Sequence, residues 1–253
     1  MSILTYHMVD PHFSFGVTRV TPKLFSRQIT GLLSIPAEFM TITRYLTDAV
    51  HENKIALTFD DGYESVYQHA FPILRQLDIQ ATVFINPAFV GQFNTWDVNL
   101  GYLRFRHMNW RQLQQLQSCG WEIGIHGFSH QDLSRLPESV VKKEIALALC
   151  VMNSRLQSEC RVISFPFGNV NETVARVGRE QGLTAGLTMS RRPKNVDPAF
   201  SVTRLGVYPF DGRHSLRYKA LRRGTTVQRM MQKVMDVCSD FTVFVKQKNW
   251  NID

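Results

Sequence analysis

The stretch "IALTFDDGYES", residues 55–65, runs an apolar segment into two adjacent aspartates and a glycine. Burying a charge is costly and neighbouring like charges repel, so Asp60 and Asp61 at the mouth of a buried strand call for a physical reason. Successive side chains of a strand point to opposite sides, and the two carboxylates are therefore expected to do different jobs. Gly62 permits the sharp exit that brings both to the strand's end. One aspartate alone would read as an Asx turn or as the N-cap of a helix at "YESVYQHAF". Two in succession after a largely apolar run point to chemistry, with one carboxylate given to a cation and the other free to hold or accept a proton.

Outward from this point, short apolar runs alternate with helical patterns. "KIALTFDDG", "ATVFIN", "WEIGIHG", "RVISFPFG" and "TAGLTM" read as strands, and "ESVYQHAFPILRQLD", "NWRQLQQLQSCG", "PESVVKKEIALALCVMNSRLQ" and "NETVARVGREQG" as the helices between them. In the third helix Val141, Ile145, Ala148, Met152 and Leu156 recur at helical spacing, with Pro137 near its start. This order predicts parallel strands joined by crossover helices, either as a (β/α) barrel or as an open doubly wound sheet. No G-x-G-x-x-G opens a helix, which counts against a dinucleotide fold. Asp60 and Asp61, His126 and His130, and Pro166 to Gly168 all follow the C-terminal ends of expected strands, the rim on which barrel enzymes assemble their sites.

The 253 residues, 44% hydrophobic and 20% charged, are expected to form a single α/β domain over 1–253. The formal charge of +8 is concentrated in the last third, in "SRRPKN", "GRHSLRYKALRRG" and "VFVKQKN". This reads as a solvated basic face, with contact to a membrane or an anionic polymer as the functional alternative. The basic residues are not interleaved with aromatics at a regular spacing, so no nucleic-acid partner is expected. Cys119, Cys150, Cys160 and Cys238 form no C-x-x-C pair and read as scattered reduced thiols. "MSILTYHMVD" lacks the pattern of a secretory signal and no 18-residue apolar run occurs, so a cytoplasmic location is expected.

"HGFSH", residues 126–130, supplies a partner for the aspartates. His126 and His130 are four apart, on one face if the segment turns helically, and neutral imidazoles are common ligands of zinc and similar metals. With a strand-end aspartate they make a two-histidine, one-carboxylate set with open coordination positions.

"TFDDG", "HGFSHQDLS" and "SFPFG", in that order, closely resemble three motifs of the polysaccharide deacetylase family of carbohydrate esterases, across roughly residues 50–190. The resemblance implies a distorted (β/α) barrel and a metal-dependent hydrolase that removes acetyl groups from N-acetylated sugars. It implies Asp60 as general base and Asp61, His126 and His130 as ligands of a divalent metal, with zinc the first choice. A tetrahedral oxyanion needs a neutral donor. Pro166 has no N–H, so the backbone amide of Phe167 or Gly168 must serve, and the family pattern points to Phe167. Pro166, Gly168 and Arg204 complete the expected substrate-binding set.

Two departures from the family pattern stand out. Many members carry an arginine where this chain has Ser164. Arg161 falls on the other side of the strand, which leaves Arg204 of "VTRLGV" either to orient Asp60 from a neighbouring strand or to lie on the surface. The late Leu-x-x-His motif is also absent. "ILTYHMV" resembles the opening segment of poly-N-acetylglucosamine deacetylases, a permuted branch in which an early histidine is the general acid. That resemblance makes His7 the candidate, with His214 as second choice. Trp96, Trp110 and Trp121 are read as core aromatics before sugar platforms, and Asn171 of "NET" as a helix cap before a glycosylation acceptor. From about residue 213 a basic extension lies beyond the family match. The alternative to an N-deacetylase is a catalytically silent carbohydrate-binding or scaffold protein with the same fold.

Overall fold

The computed structural model describes residues 2–12, 18–48, 53–94, 104–189, 193 and 195–221. In chain order the elements are β1 (Ser2–Tyr6), β2 (Met8–Val9), β3 (Arg19–Val20), α1 (Pro22–Leu33), β4 (Glu38–Met40), α2 (Ile42–Thr47), β5 (Lys54–Phe59), α3 (Phe71–Gln76), β6 (Thr82–Ile85), α4 (Trp110–Ser118), β7 (Glu122–Ile125), α5 (Glu138–Arg155), β8 (Val162–Ser164), α6 (Glu172–Glu180), β9 (Ala185–Thr188), β10 (Val202–Thr203), β11 (Leu205–Gly206) and α7 (Arg213–Leu221). Each strand and helix expected from the sequence is present.

The strands follow the order β10-β9-β8-β7-β6-β5-β1-β11, with β4 added beside β5, and neighbours pair in parallel. The segment 202–206 closes the ring. Val202 and Thr203 pair with Leu187 and Thr188 of β9, while Leu205 and Gly206 pair with Leu4 and Thr5 of β1. Between them the Arg204 amide bonds Thr188 O at 3.0 Å. The first and last strands are thereby joined through one short segment, and the sheet is the nearly closed barrel that the strand–helix alternation implies.

Strand alternation sorts the apolar residues into two bodies. Leu4, Tyr6, Leu57, Phe59, Val83 and Ile125 face outward and pack under the helices. Ile3, Ala56, Phe84, Val162, Ala185 and Leu187 form a separate cluster inside the barrel. Phe84 fits there because residue 124 is glycine: a Cβ at that position would lie 2.6 Å from the Phe84 ring and 2.9 Å from Val162 O. Toward the C-terminal ends of the strands the interior turns polar, with Thr5, Thr58, Ser164 and Arg204 bonded to one another or to a shared carboxylate. The site grows out of this layer.

Local sequence accounts for the helix ends. Asn109 and Gln112 exchange side-chain bonds in a capping box at the start of α4. Asn171 accepts from the Val174 amide and so caps α6, the role expected for it. The helix read from "ESVYQHAFPILRQLD" is not uniform. Pro72 cannot donate to a regular helical bond, and the turn Val66–Ala70 widens to a π-helical bond from Phe71 N to Val66 O before α3 begins.

Of the basic extension, residues 213–221 form α7, packed on α1 and β1. It is fastened by Ser2 Oγ donating to Ala220 O and by a fully buried pair between Lys219 and Asp211 at 2.6 Å. Trp121 is buried and stacked on Phe59, and Trp110 is partly buried against the same core. Trp96, "VFVKQKN" and most of "SRRPKN" lie outside the described residues. No helix among the described residues is long and apolar enough to cross a membrane.

Thiol chemistry tests this placement. Cys150 is exposed, whereas Cys160 is buried with its Sγ against Ile123 O. Burial, and secondarily the Glu122 charge, push the Cys160 thiol up to about 12, leaving on the order of 10⁻⁴ of it as thiolate at pH 8. Iodoacetamide at pH 8 should modify Cys150 and spare Cys160 until denaturant is added, as mapped by peptide mass spectrometry. Equal labelling of the two in the native protein would contradict the packing of β8 against β7.

Candidate active site

Asp60 and Asp61 leave the end of β5 in different directions, and the backbone makes them do so. Asp60 continues the strand, its amide bonded to Tyr6 O at 3.0 Å. Asp61 has φ +67 and Gly62 again φ +67, a left-handed excursion that a non-glycine residue adopts only when its surroundings enforce it. His107 supplies part of that enforcement. Its Nδ1 lies 2.7 Å from Asp61 O, and a carbonyl can only accept, so the imidazole donates to the backbone of the strained residue.

The Asp61 side chain meets two imidazoles. Its Oδ1 is 3.3 Å from His126 Nε2 and 3.3 Å from His130 Nε2. All three residues are buried, and their ligand atoms lie within 4.8 Å of one another. His126 Nδ1 donates to Ser164 O at 2.7 Å, which fixes the tautomer and turns Nε2 toward the carboxylate. His126 Nε2 thus turns a lone pair on the carboxylate, and a cation among the three groups, a proton or a metal ion, relieves that contact. The donor set therefore fits the divalent metal that the sequence reading implies. The same electrostatics appear in the ionisation. Burial works against the charged forms, but the hydrogen bonds from His126 and His130 hold Asp61 well below the usual carboxylate range. Burial likewise works against protonated His126, and Asp61 together with the Asp60 charge overcomes it and raises the imidazole above its ordinary value.

The two histidines reach this position without a helix. The segment between β7 and residue 133 is irregular, with φ +71 at Gly127 and φ +61 at His130. The helical turn suggested by the i, i+4 spacing is thus replaced by a tight loop, because the chain must double back at the rim to bring both rings onto one carboxylate.

Asp60 is held elsewhere. Arg204 grips it with two bonds, Nη1 to Oδ1 at 2.8 Å and Nη2 to Oδ2 at 2.7 Å. Ser164 Oγ lies 3.2 Å from Oδ2 and receives a further Arg204 bond at 2.7 Å. Arg204 is 0% exposed. It is neither a surface residue nor part of a substrate-facing surface, as the sequence reading allowed. It enters the barrel from the closing strand and occupies the interior beside Ser164. Burial pushes Asp60 up, but the Arg204 charge, then His126, the Arg204 hydrogen bonds and His7 outweigh it, so the carboxyl sits below its ordinary value.

The remaining candidates fall on the same rim with one exception. His7 follows β1, whose Tyr6 pairs with Phe59, so it lies next to Asp60 across the strand pair. Its charge acts on both aspartates, and it is only partly buried. Pro166 is buried, and the turn after it places Phe167 at φ +60, with its ring 4.9 Å from that of His130. Gly168 N donates to Phe165 O at 2.9 Å, whereas no bond among the described residues takes up the Phe167 N–H. Of the two amides left open by the sequence, Phe167 is the one able to donate to a ligand. His214 is the exception, exposed on α7.

Three residues of the site gave no functional signal in the sequence reading. They are His107, Glu144 and Asn86, whose Nδ2 donates to His126 O.

The polysaccharide deacetylase family profile matches residues 47–186, more than half of the chain, and the chain belongs to that family. It is 23% identical over 191 residues to the poly-beta-1,6-N-acetyl-D-glucosamine N-deacetylase of Staphylococcus epidermidis, covering 70% of this chain and 64% of that protein. It thus spans just under two thirds of that relative's length. Among solved structures, the Streptococcus pyogenes deacetylase PplD in complex with acetate superposes with a TM-score of 0.74 at 20% identity, covering 87% of this chain and 97% of that one. IcaB from Ammonifex degensii gives 0.72 at 24% identity, covering 87% and 96%. At these identities the structural likeness establishes the barrel fold.

Removing one member of the Asp60–Arg204 pair leaves a buried charge uncompensated. Arg204→Leu should lower unfolding stability by about 3–5 kcal/mol, and adding Asp60→Asn should restore much of it, as read by urea denaturation. A single-variant loss below about 1 kcal/mol would contradict the pairing, since that is the worth of an exposed ion pair.

Proposed function

We propose that this chain is a divalent-metal-dependent N-deacetylase of an N-acetylated amino-sugar polymer, of the poly-N-acetylglucosamine type. The observation that carries the reading is the division of labour between adjacent carboxylates: Asp61 turned to His126 and His130, and Asp60 held clear of both by Arg204 and Ser164. Family membership and the named activity of the Staphylococcus epidermidis relative support it.

Asp61, His126 and His130 would hold the metal, with zinc the first choice from the mixed nitrogen and oxygen donors. When bound, such an ion supplies Lewis acidity that activates water and polarises an amide carbonyl. Asp60 accepts the proton of the attacking water, and the bidentate arginine keeps it ionised and correctly aimed. The Phe167 N–H donates to the oxyanion that develops on the carbonyl. His7, just after the neighbouring strand β1, delivers a proton to the departing amine. Ser164 and the missing late histidine are the features that favour the scaffold reading. Arg204 now reaches Asp60 beside Ser164, and His7 lies at the rim where a proton donor is needed.

Zinc-loaded protein should release acetate from N-acetylglucosamine oligomers. Asp60→Asn should keep the metal and lose at least about 100-fold in turnover. His7→Gln should lose comparably on the amide but far less on an acetyl ester whose leaving group needs no proton. Sugar binding without acetate release under any metal loading would instead support the silent scaffold.

A further inference from the structure

Glu144 lies in the middle of α5 and is 7% exposed. Its carboxylate is occupied entirely by the loop that carries the two histidines. Oε2 accepts the backbone N–H groups of Phe128 and Ser129, each at 3.1 Å. Oε1 accepts the Ser129 hydroxyl at 2.8 Å and the Gln131 amide at 3.4 Å. Every one of these donors falls between His126 and the residue after His130, and every one is neutral. Among the described residues no ion pair to Glu144 is recorded. A buried carboxylate compensated only by neutral donors is expensive, so a reason is needed for placing one here.

The loop supplies it. Two peptide N–H groups converge on one oxygen because the backbone wraps around the carboxylate, with φ +71 at Gly127 and φ +61 at His130. A non-glycine residue in that region is strained. Left to itself, a segment with this sequence has no regular hydrogen bonding to prefer the tight turn. Its two ends are held differently. His126 is bound to the strand ends through its own amide to Ile85 O at 2.8 Å and its ring to Ser164 O. His130 sits at the far side of the turn, and its distance from Asp61 depends on the shape of the turn that Glu144 templates. The helix behind Glu144 is 18 residues long and packs on β7 and α6, a rigid base for such an anchor.

We propose that Glu144 is a positioning residue that sets the separation and orientation of His126 and His130 for cation binding, with Ser129 as its side-chain partner. The inference rests on the reading that Asp61, His126 and His130 hold a divalent cation. Glu144 is more than 13 residues along the chain from either histidine, and its hydrogen bonds go to neither ring. It acts through three hydrogen bonds to Phe128 and Ser129, between the histidines, and a fourth to Gln131 just after His130. Its negative charge also favours a cation in the loop it supports.

Metal affinity of the full chain tests this without any sugar substrate. In competition with a chromophoric chelator, Glu144→Gln should weaken zinc binding by about 10–100-fold, the usual effect of losing an outer partner of a metal site. Ser129→Ala, which removes the hydroxyl's bond to Glu144 and its bond from the Gln131 amide, should weaken it by about threefold to tenfold. The visible spectrum of cobalt(II)-loaded Glu144→Gln should differ from wild type at saturation, a change that general loss of stability would not produce. Affinities within twofold of wild type with superimposable cobalt spectra would overturn the proposal. If Glu144→Gln does not fold, Ser129→Ala decides by the same criterion. A wild type that binds zinc and responds to these substitutions but releases no acetate leaves the positioning role standing and removes the proposed activity. A wild type that binds neither zinc nor cobalt removes both.

Discussion

Two carboxylates one residue apart, 3% and 8% exposed, cannot share a solvent-poor pocket unless each has its own cation. The site is organised by that requirement. Arg204 neutralises Asp60 from inside the barrel, and the imidazoles take Asp61 at the rim. The left-handed backbone at Asp61 turns the second carboxylate away from the arginine. His107 pays part of that strain by bonding the Asp61 carbonyl.

The barrel's closure and the site's electrostatics are one construction. Segment 202–206 bridges β9 and β1, and the residue at its midpoint is the arginine on which Asp60 depends. Thr5, Thr58 and Ser164 surround the guanidinium, so the donors on its Nη1 and Nη2 find oxygen, while its carbon lies 5.5 Å from the centre of the Phe84 ring. The arginine approaches from the closing strand, and Ser164 is small enough to share the space beside it.

What could be read from the sequence was local. "TFDDG", "HGFSH" and "SFPFG" each sit at the end of a strand with a clear apolar pattern, and parallel pairing alone brings such ends to one rim. The strands β5 to β9 and helices α4 to α6 were legible for the same reason. The closing strand was not: "SVTRLGV" breaks alternation with an arginine, because the interior at that level is polar. Arg204 is 144 residues from Asp60 and Ser164 is 104, separations over which pattern carries no information. The i, i+4 histidine spacing suggested a helix where a loop performs the convergence. Glu144 left only a faint trace, an acidic residue three after Val141 and four before Ala148 on the buried face of α5.

Anomalous diffraction from crystals grown with zinc tests the division between the two aspartates most directly. The ion is expected within about 2.0–2.2 Å of Asp61 Oδ1, His126 Nε2 and His130 Nε2, with Asp60 outside the coordination shell and still clasped by Arg204. Zinc bound by Asp60, or bound away from the histidine pair, would contradict it.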